Sequence, residues 1–298
     1  MKHVPVLQQE AVSLLDLKTD STVVDCTLGS GGHARTILSI LGKGGRYIGI
    51  DVDPSAIEAN DDLHDLSAAE VVLVNDNFRN ITHILERRGI GEVDGILADL
   101  GWRSEQFEGE AGKPRGFSFL RDEPLAMTFG EPRKYPFTAY DIVNEWREED
   151  IANVIYAYGQ ERASRRIARA IISARDKASI TSSLQLAAIV ADALPRKGRH
   201  RIHPATKTFQ ALRIAVNDEL DALRELLLDG FECLREGGRM AIITFHSLED
   251  RIVKETFRAY ARDQKGVLVS KKPIGPSAEE LAANPRARSA KIRIIEKL

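Results

Sequence analysis

The chain has 298 residues, about twice the length of a typical domain, so one large domain or two coupled domains are expected. With 29% charged and 43% hydrophobic residues it has an ordinary globular composition, which excludes a disordered chain, a collagen and a coiled coil. The longest stretch without Asp, Glu, Lys or Arg, Ala178–Ala191, has 14 residues and is rich in polar side chains, so no membrane span is predicted.

Cysteine usage and the N-terminal residues indicate a cellular compartment. Cys26 and Cys233 lie far apart and have no His or Cys at ligand spacing, so neither a disulfide framework nor a metal site is predicted. Pro5, Gln8 and Gln9 stand where a signal peptide needs an apolar run. We therefore expect a cytoplasmic protein.

The net charge of −2 conceals two halves of opposite sign. Residues 1–150 contain 15 basic and 27 acidic side chains, whereas residues 151–298 contain 27 basic and 17 acidic ones. The stretch Tyr47–Phe78 has eight acids and no Lys or Arg, and Pro195–Arg213 has six Lys and Arg and no acid. A polyanion would bind the basic half, although a solvated helix face is the simpler interpretation of a charge run.

Short apolar runs alternate with helical patterns from Ser21 onward. A helix is predicted from Pro54 to about Leu66, because Pro is favoured early in a helix. This alternation is typical of a doubly wound parallel sheet. The predicted strands are Thr22–Val24, Arg46–Ile50, Val71–Val74 and Val93–Leu97, and the first, second and fourth of them lead to Asp25, Asp51 and Asp99.

The alternation stops after the fourth strand, and residues 109–206 contain no convincing strand. A helix over Thr206–Arg235 then precedes a strand at Arg239–Thr244. Gly266–Ser270 and Lys291–Ile295 predict a closing antiparallel pair. The sequence thus predicts an α/β core, residues 1–108 and 207–298, with a mostly helical domain inserted at 109–206.

The first strand runs into a glycine-rich turn, DCTLGSGGH, at residues 25–33. Gly29, Gly31 and Ala34 satisfy a dinucleotide fingerprint, and Asp51 follows where a ribose-binding acid belongs. A tight strand-to-helix corner that needs glycine accounts for such a match about as well. An NAD-type domain therefore stays open on the turn alone.

Acids at the ends of successive strands favour a different ligand. A carboxylate at Asp25 would repel a pyrophosphate but attract a cationic amino group, while Asp51 would accept from ribose hydroxyls. Phe78, after Asp76 and Asn77, offers an aromatic face for adenine. Buried carboxylates are costly without partners, so the series, which continues at Asp99, indicates a ligand. S-Adenosylmethionine has the matching groups and no phosphate.

Longer motifs lie along nearly the whole chain. They are HVPVL at residue 3, DCTLGSGGH at 25, GIDVDP at 49, DLG at 99 with Gln106, RGFSF at 115, YGQER at 158, RRIA at 165, HPATKTFQALRIAVNDEL at 203, FHSLEDRIVK at 245 and NPRARSAK at 284. Together they resemble the bacterial ribosomal RNA small-subunit methyltransferase H (MraW) family, and no generic methyltransferase combines the last three of them.

The resemblance implies the class I methyltransferase fold and methylation of the exocyclic amine, position 4, of a cytidine in the decoding region of small-subunit (16S) ribosomal RNA. Asp99 is the candidate catalytic residue. The implied partner is that RNA or the assembled subunit, and the oligomeric state, including a homodimer, stays open. The implied contacts to S-adenosylmethionine are Gly31, Gly32, His33, Asp51, Phe78, Asp99 and Gln106.

Several further residues are candidates for contact with the RNA substrate because of their side-chain chemistry. Phe117 and Phe119, near Arg115, could stack an unpaired base, or could anchor a buried loop. Arg199, Arg201 and Lys207 would hold phosphates, and His246 either faces the substrate or belongs to a helix start that Ser247 caps.

Two segments depart from the family pattern. The family's usual DLGVSS is Asp99–Ser104 here, with the sequence DLGWRS, and its usual PLDMRM has Ala126 and Thr128 in place of Asp and Arg. Three alternative functions stay open beside methylation of ribosomal RNA. They are a dehydrogenase, a non-catalytic RNA-binding module and a DNA amine methyltransferase, although the Asp/Asn-Pro-Pro-aromatic motif of the last is missing after the fourth strand.

Overall fold

The computed structural model describes residues 5–100, 114–194 and 203–298. The chain forms two compact units. Residues 1–103 and 220–298 make up the first unit, and residues 104–219 make up the second. Within the described ranges, no helix combines the length and the apolar character needed to cross a bilayer.

The first unit is built on a seven-stranded sheet with the order β3-β2-β1-β4-β5-β7-β6. Strands β1 to β5 pair in parallel, and β7 runs antiparallel to both β5 and β6, as predicted for the closing pair. The strands are β1 Thr22–Asp25, β2 Arg46–Asp51, β3 Glu70–Asn75, β4 Val93–Asp99, β5 Leu234–Thr244, β6 Gly266–Leu268 and β7 Lys291–Lys297.

Helices follow the strands of the first unit and make up most of the second. The described helices are α1 Gln8–Leu14, α2 Gly32–Leu38, α3 Pro54–Glu58, α4 Ile81–Glu86, α5 Ala139–Glu145, α6 Glu148–Gly159, α7 Ser164–Arg175, α8 Ser183–Ala193, α9 Thr206–Asn217, α10 Glu219–Glu225, α11 Phe231–Cys233, α12 Ser247–Arg262 and α13 Ala278–Ala283.

Apolar side chains alternate between two cores along each central strand. Val23 and Tyr47 belong to one buried cluster, whereas Val24, Ile48 and Ile50 belong to the other. Successive side chains of a strand point to opposite faces of the sheet, so both faces are covered. The strands therefore read as continuous apolar runs, which is why the sequence located them within a few residues.

The helix predicted from Pro54 to Leu66 is wrong in its second half. Helix α3 ends at Glu58, and a 3₁₀ turn, Asp61–Asp65, follows it. Asn60 interrupts the helix because its side-chain amide donates to the carbonyls of Ala56, at 2.8 Å, and of Gly29, at 3.0 Å. A short polar side chain that bonds to the backbone competes with helix continuation.

The helix predicted over Thr206–Arg235 is also divided. Asp218, with a left-handed φ of 50°, separates α9 from α10. The buried face of α9, which includes Phe209 and Leu212, packs in the apolar cluster of the second unit. That unit therefore runs to Glu219, beyond the boundary predicted at residue 206, because α9 finds its apolar partners among the inserted helices.

Candidate active site

The turn between β1 and α2 is fixed by groups from the end of β2 and the segment after it. Gly29 and Gly31 have φ of 55° and 74°, a conformation that other residues rarely adopt. The Gly29 N–H donates to Oδ2 of Asp51 at 2.9 Å, and the Asn60 amide donates to the Gly29 carbonyl at 3.0 Å. The shape of the turn thus depends on a neighbouring strand.

Packing within the protein requires two of these glycines. A Cβ at Gly31 would overlap the side chains of Asn60 and Arg35, and a Cβ at Gly32 would overlap the ring of Pro5. From the sequence, these glycines were expected to allow close approach of a ligand. The structure adds that the protein's own side chains already occupy the space that a Cβ would need.

Asp51 combines a structural role with the chemistry predicted for it. Its two carboxylate oxygens each accept a backbone N–H at 2.9 Å, one from Gly29 and one from Asp53. A carboxylate oxygen has two lone pairs, so each of these oxygens can also accept from a ligand hydroxyl. The residue is half-buried and is the last residue of β2, at the carboxyl edge of the sheet, and its contact with ribose stays a prediction.

Asp25 does not have the role predicted from the sequence. Its side chain is buried, accepting from the Tyr47 hydroxyl at 2.9 Å and from the Thr27 N–H at 3.1 Å. Burial raises the pKa of Asp25 and raises the pKa of Tyr47 well above its usual value. The predicted contact between Asp25 and a ligand's amino group is therefore wrong, because the carboxylate faces the protein interior.

Asp99 lies at the same edge and is held from both sides. Its N–H donates to Oγ1 of Thr27 at 2.7 Å, and the N–H of Leu100 donates to the carbonyl of Ile243 at 3.0 Å. These bonds tie the end of β4 to the segment after β1 and to β5. The Asp99 side chain is 17% exposed, so it remains accessible at the edge of the sheet.

His33 is buried beside Asp99 and is neutral. Its Nε2 lies 3.2 Å from the carbonyl oxygen of Val6, and its Nδ1 lies 3.9 Å from Oδ2 of Asp99, too far for a hydrogen bond. Burial lowers the pKa of His33, and the nearby charge of Asp25 only partly opposes this. His33 therefore does not neutralise the Asp99 carboxylate at pH 7.

The third strand end is shaped by two side-chain caps. Asp76 accepts from the N–H of Asn77 at 2.7 Å, and Asn77 caps the 3₁₀ turn that begins at Phe78. The Phe78 ring is half-buried and packs against the apolar cluster of one sheet face. Its contact with adenine stays a prediction.

Two predicted substrate residues, Phe117 and Arg115, contact other residues of the second unit. The Phe117 ring is buried and stacks on Phe129, with 5.6 Å between centroids, so the prediction that it stacks a base is wrong. Its apolar ring fills the core instead. Arg115 donates to the carbonyls of Thr128 and Phe129, which holds this segment together.

Phe119 and Lys207 lie nearer the surface of that unit. The half-buried Phe119 ring stacks on the exposed His203, with 4.5 Å between centroids, and meets Phe209 edge-on. The Lys207 ammonium lies 3.6 Å from Oε2 of Glu161. Their contacts with RNA stay predictions. The predicted residues Gln106, Arg199 and Arg201 lie outside the described residues.

His246, rather than Ser247, caps helix α12. Its Nδ1 accepts from the N–H of Glu249 at 3.3 Å, and Oε2 of Glu249 accepts from the His246 N–H at 3.2 Å. This reciprocal pair is a capping box in which histidine takes the place of serine or threonine. The predicted role of His246 toward the substrate stays a prediction.

Of the two departures, Thr128 lies in the core of the second unit, whereas Ala126 is half-buried. Thr128 is fully buried and donates to the carbonyl of Gly130 at 2.9 Å. Between these positions Met127 has a left-handed φ of 54°, and Asn217 donates to its carbonyl at 2.7 Å. Asn217 thus helps to hold the chain path at Met127.

Three residues that build the site were not predicted from the sequence. Thr27 supports Asp99, Asn60 supports the glycine turn, and Tyr47 supports Asp25. Thr27 lies inside the matching motif and could have been noticed there. Nothing in the local pattern marks the bonds from Asn60 to Gly29 or from Tyr47 to Asp25, because each joins residues more than 20 positions apart.

The sheet order, the glycine turn after β1 and the acids at the ends of β2 and β4 define a class I methyltransferase. The MraW methylase family model matches residues 1–298, so the chain belongs to that family and is an S-adenosylmethionine-dependent methyltransferase.

The chain is similar over its full length to curated relatives called "Ribosomal RNA small subunit methyltransferase H". The relative from Brevibacillus brevis is 45% identical, over 99% of this chain and 98% of its own. The one from Clostridium botulinum strain Loch Maree is 42% identical, over 100% and 99%. The curated names agree with the family that the motifs indicated.

Among solved structures, an rRNA methylase from Streptococcus thermophilus has a TM-score of 0.45 and 12% identity, with 100% of this chain and 99% of that chain covered. Aeropyrum pernix fibrillarin, solved with S-adenosyl-L-methionine, has a TM-score of 0.42 and 12% identity, covering 97% of this chain and 74% of its own. The family assignment rests on the sequence match and not on these scores.

Replacing Asp51 with Ala is expected to weaken binding of S-adenosylmethionine about tenfold or more, because ribose hydroxyls lose a charged acceptor worth about 1.5–3 kcal/mol. Titration calorimetry measures the affinity. The matched control is Asp62→Ala, which removes an exposed acid that pairs with Arg35. Unchanged donor affinity in the Asp51 variant would limit that residue to holding the turn.

His33 is expected to make stability rise with pH. Its pKa is lowered in the folded state, so the unfolded chain binds more protons below about pH 6.5. The contribution of neutral His33 to the free energy of unfolding is therefore lost as the pH falls. Urea unfolding from about pH 5 to 7 measures it as the difference between wild type and His33→Gln, which retains a donor for Val6. Parallel curves would show that His33 titrates alike in both states.

Proposed function

We propose that this enzyme transfers a methyl group from S-adenosylmethionine to the exocyclic amine, position 4, of a cytidine in the decoding region of small-subunit (16S) ribosomal RNA. One observation carries the proposal: a chain that matches the MraW methylase model from end to end places two accessible carboxylates, Asp51 and Asp99, beside the glycine turn. The curated relatives' names support the RNA substrate.

The residues at the sheet edge suit an uncharged or cationic donor. Asp51 and Asp99 place half-buried carboxylates at the ends of β2 and β4, the two strands that flank β1. Arg35, in the helix after the turn, forms an ion pair with Asp62 at 2.8 Å. This acidic environment would repel a pyrophosphate, whereas a sulfonium and an ammonium are favoured by it. The edge therefore fits the methyl donor and disfavours NAD.

Positioning is the main catalytic task in this reaction. S-Adenosylmethionine supplies an activated methyl group, whereas the amine of cytosine is a weak nucleophile because its lone pair is delocalised into the ring. Orientation of two reactants is worth up to about 7–11 kcal/mol in favourable cases. Thr27 and Ile243 fix the end of β4 by accepting backbone hydrogen bonds, so Asp99 is held at a defined place.

Asp99 has the basicity and exposure to act on the amine. Its carboxylate can accept a hydrogen bond from the amine, which localises the nitrogen lone pair, and can take the proton that nitrogen loses after transfer. His33, being neutral and 3.9 Å away, forms no ion pair with that carboxylate. The same carboxylate can bind the amino acid part of the donor, and the two roles differ in their kinetics.

We assign RNA binding to the second unit, and the reaction to the cytoplasm, where small subunits are assembled. The carboxyl edge of the sheet carries acids, so a polyanion is better placed on the arginine-rich helical unit. The target base must be unpaired or flipped out to reach the methyl group.

Mass-spectrometric mapping of small-subunit RNA from cells with and without the gene tests the proposal. One methylated cytidine in the decoding region is expected to disappear on deletion and to return on complementation. An unchanged modification pattern would remove the assigned reaction. Loss of a methyl group from another base or position would retain the enzyme class and change the substrate.

Asp99→Asn is expected to lose about a hundredfold in the rate of methyl transfer at saturating donor, ~2.7 kcal/mol of barrier, because asparagine keeps the shape without the charge or basicity. Single-turnover assays on small subunits measure the rate, with the melting temperature as the folding control. Recovery of the rate at higher donor concentration would restrict Asp99 to donor binding. Near wild-type rates throughout would make it structural.

A further inference from the structure

Helix α7 carries a row of arginines on its solvent side. Arg165, Arg166 and Arg169 lie within the helix, and Arg162 lies in the turn before it, at i, i+3, i+4 and i+7 spacing. All four are exposed, whereas Ile167 and other residues of the opposite side are buried. We call these four residues the arginine face.

The acids near the arginine face do not neutralise its positive charge. Glu161 accepts from the Ala163 N–H at 2.9 Å and pairs with Lys207, so it is already engaged. Arg169 lies 3.7 Å from Glu148, in a solvent-exposed pair. In the described part of the chain, Arg162, Arg165 and Arg166 form no ion pair within 4.0 Å.

Folding does not account for this arrangement. Arginines four residues apart repel one another along a helix, and cations in the first turn oppose the helix dipole. The first turn of α7 has no acid, and its N-cap, Ala163, forms no side-chain capping bond. At the other end Arg175 donates to the carbonyls of Val143 and Trp146, so that arginine has a structural role. The arginine face has a cost in stability, which the exposed pair with Glu148 offsets little.

We propose that the arginine face binds the phosphate backbone of the ribosomal RNA substrate. This rests on the proposed function and names the surface that holds the RNA. Guanidinium groups pair with phosphate oxygens through two parallel hydrogen bonds, and a row of three to four arginines along about two helical turns suits consecutive phosphates of one strand. Each such pairing releases counterions, so the binding depends on salt.

The test compares two double variants with equal charge change. Arg165→Gln/Arg166→Gln removes the centre of the face, and the matched control, Arg87→Gln/Arg88→Gln, removes two exposed arginines at the C-terminal end of α4 in the other unit. Both are titrated with purified small ribosomal subunits and with a short single-stranded RNA of mixed sequence, over a series of salt concentrations.

The face variant is expected to bind both probes about tenfold more weakly, with a salt slope reduced by about 0.7 for each phosphate that the variant no longer neutralises. The control is expected to bind like wild type. In methylation assays the KM for subunits rises while kcat and donor affinity stay unchanged. The melting temperature of the face variant stays equal or rises by about 1 °C, because repulsion and the dipole conflict are removed.

A third variant, Arg165→Lys/Arg166→Lys, retains the charge and is expected to keep most of the affinity and the salt slope. Equal binding by the Gln variants and wild type, with equal salt slopes, would overturn the proposal. So would weaker binding to subunits alone with unchanged binding to the RNA, since that result places a ribosomal protein on the face. If wild type fails to methylate subunits, the proposed function fails, and the RNA titration still decides the role of the face.

Discussion

The carboxylate of Asp51 joins the end of β2 to the glycine turn after β1, and the rest of the candidate site depends on that link. Two left-handed glycines have no conformational preference of their own, so a bond from another strand must select the turn. The parallel pairing of β1 with β2 places Asp51 within reach. The side chain to which we assign donor binding thus also holds the turn.

The acids at the carboxyl edge of the sheet differ in how deeply they are buried. Asp25 is enclosed with Tyr47 and supports the structure, and burial raises its pKa, an effect that nearby Asp99 increases. Asp51 and Asp99 keep access to solvent, and they are the carboxylates to which we assign donor binding and catalysis. These three acids each end a strand, but they have different surroundings. The difference follows from how deeply each side chain is buried and from which groups donate hydrogen bonds to it, rather than from residue type.

The helical unit is closed by a buried ion pair. Arg213, 2% exposed, donates to both oxygens of Glu219 at 2.7 Å, across the left-handed Asp218 that ends α9. A buried charge without its partner is strongly destabilising, so this pair holds the break between α9 and α10. Among the described arginines of this unit, Arg213 is therefore buried with a carboxylate partner, in contrast to the exposed row on α7.

The sequence by itself determined the strands, the helical insertion, the glycine turn and the family, because apolar runs, breaks in periodicity and long motifs are local signals. Tertiary structure alone decided that Asp25 and Phe117 are buried, that Asn60 ends a helix and that α9 belongs to the inserted unit. Each of these outcomes depends on a partner distant in the chain, Tyr47 for Asp25 and Gly29 for Asn60 among them. Sequence periodicity describes only neighbours within a few residues. Contacts between distant residues form when the strands and helices pack, so periodicity could not predict them.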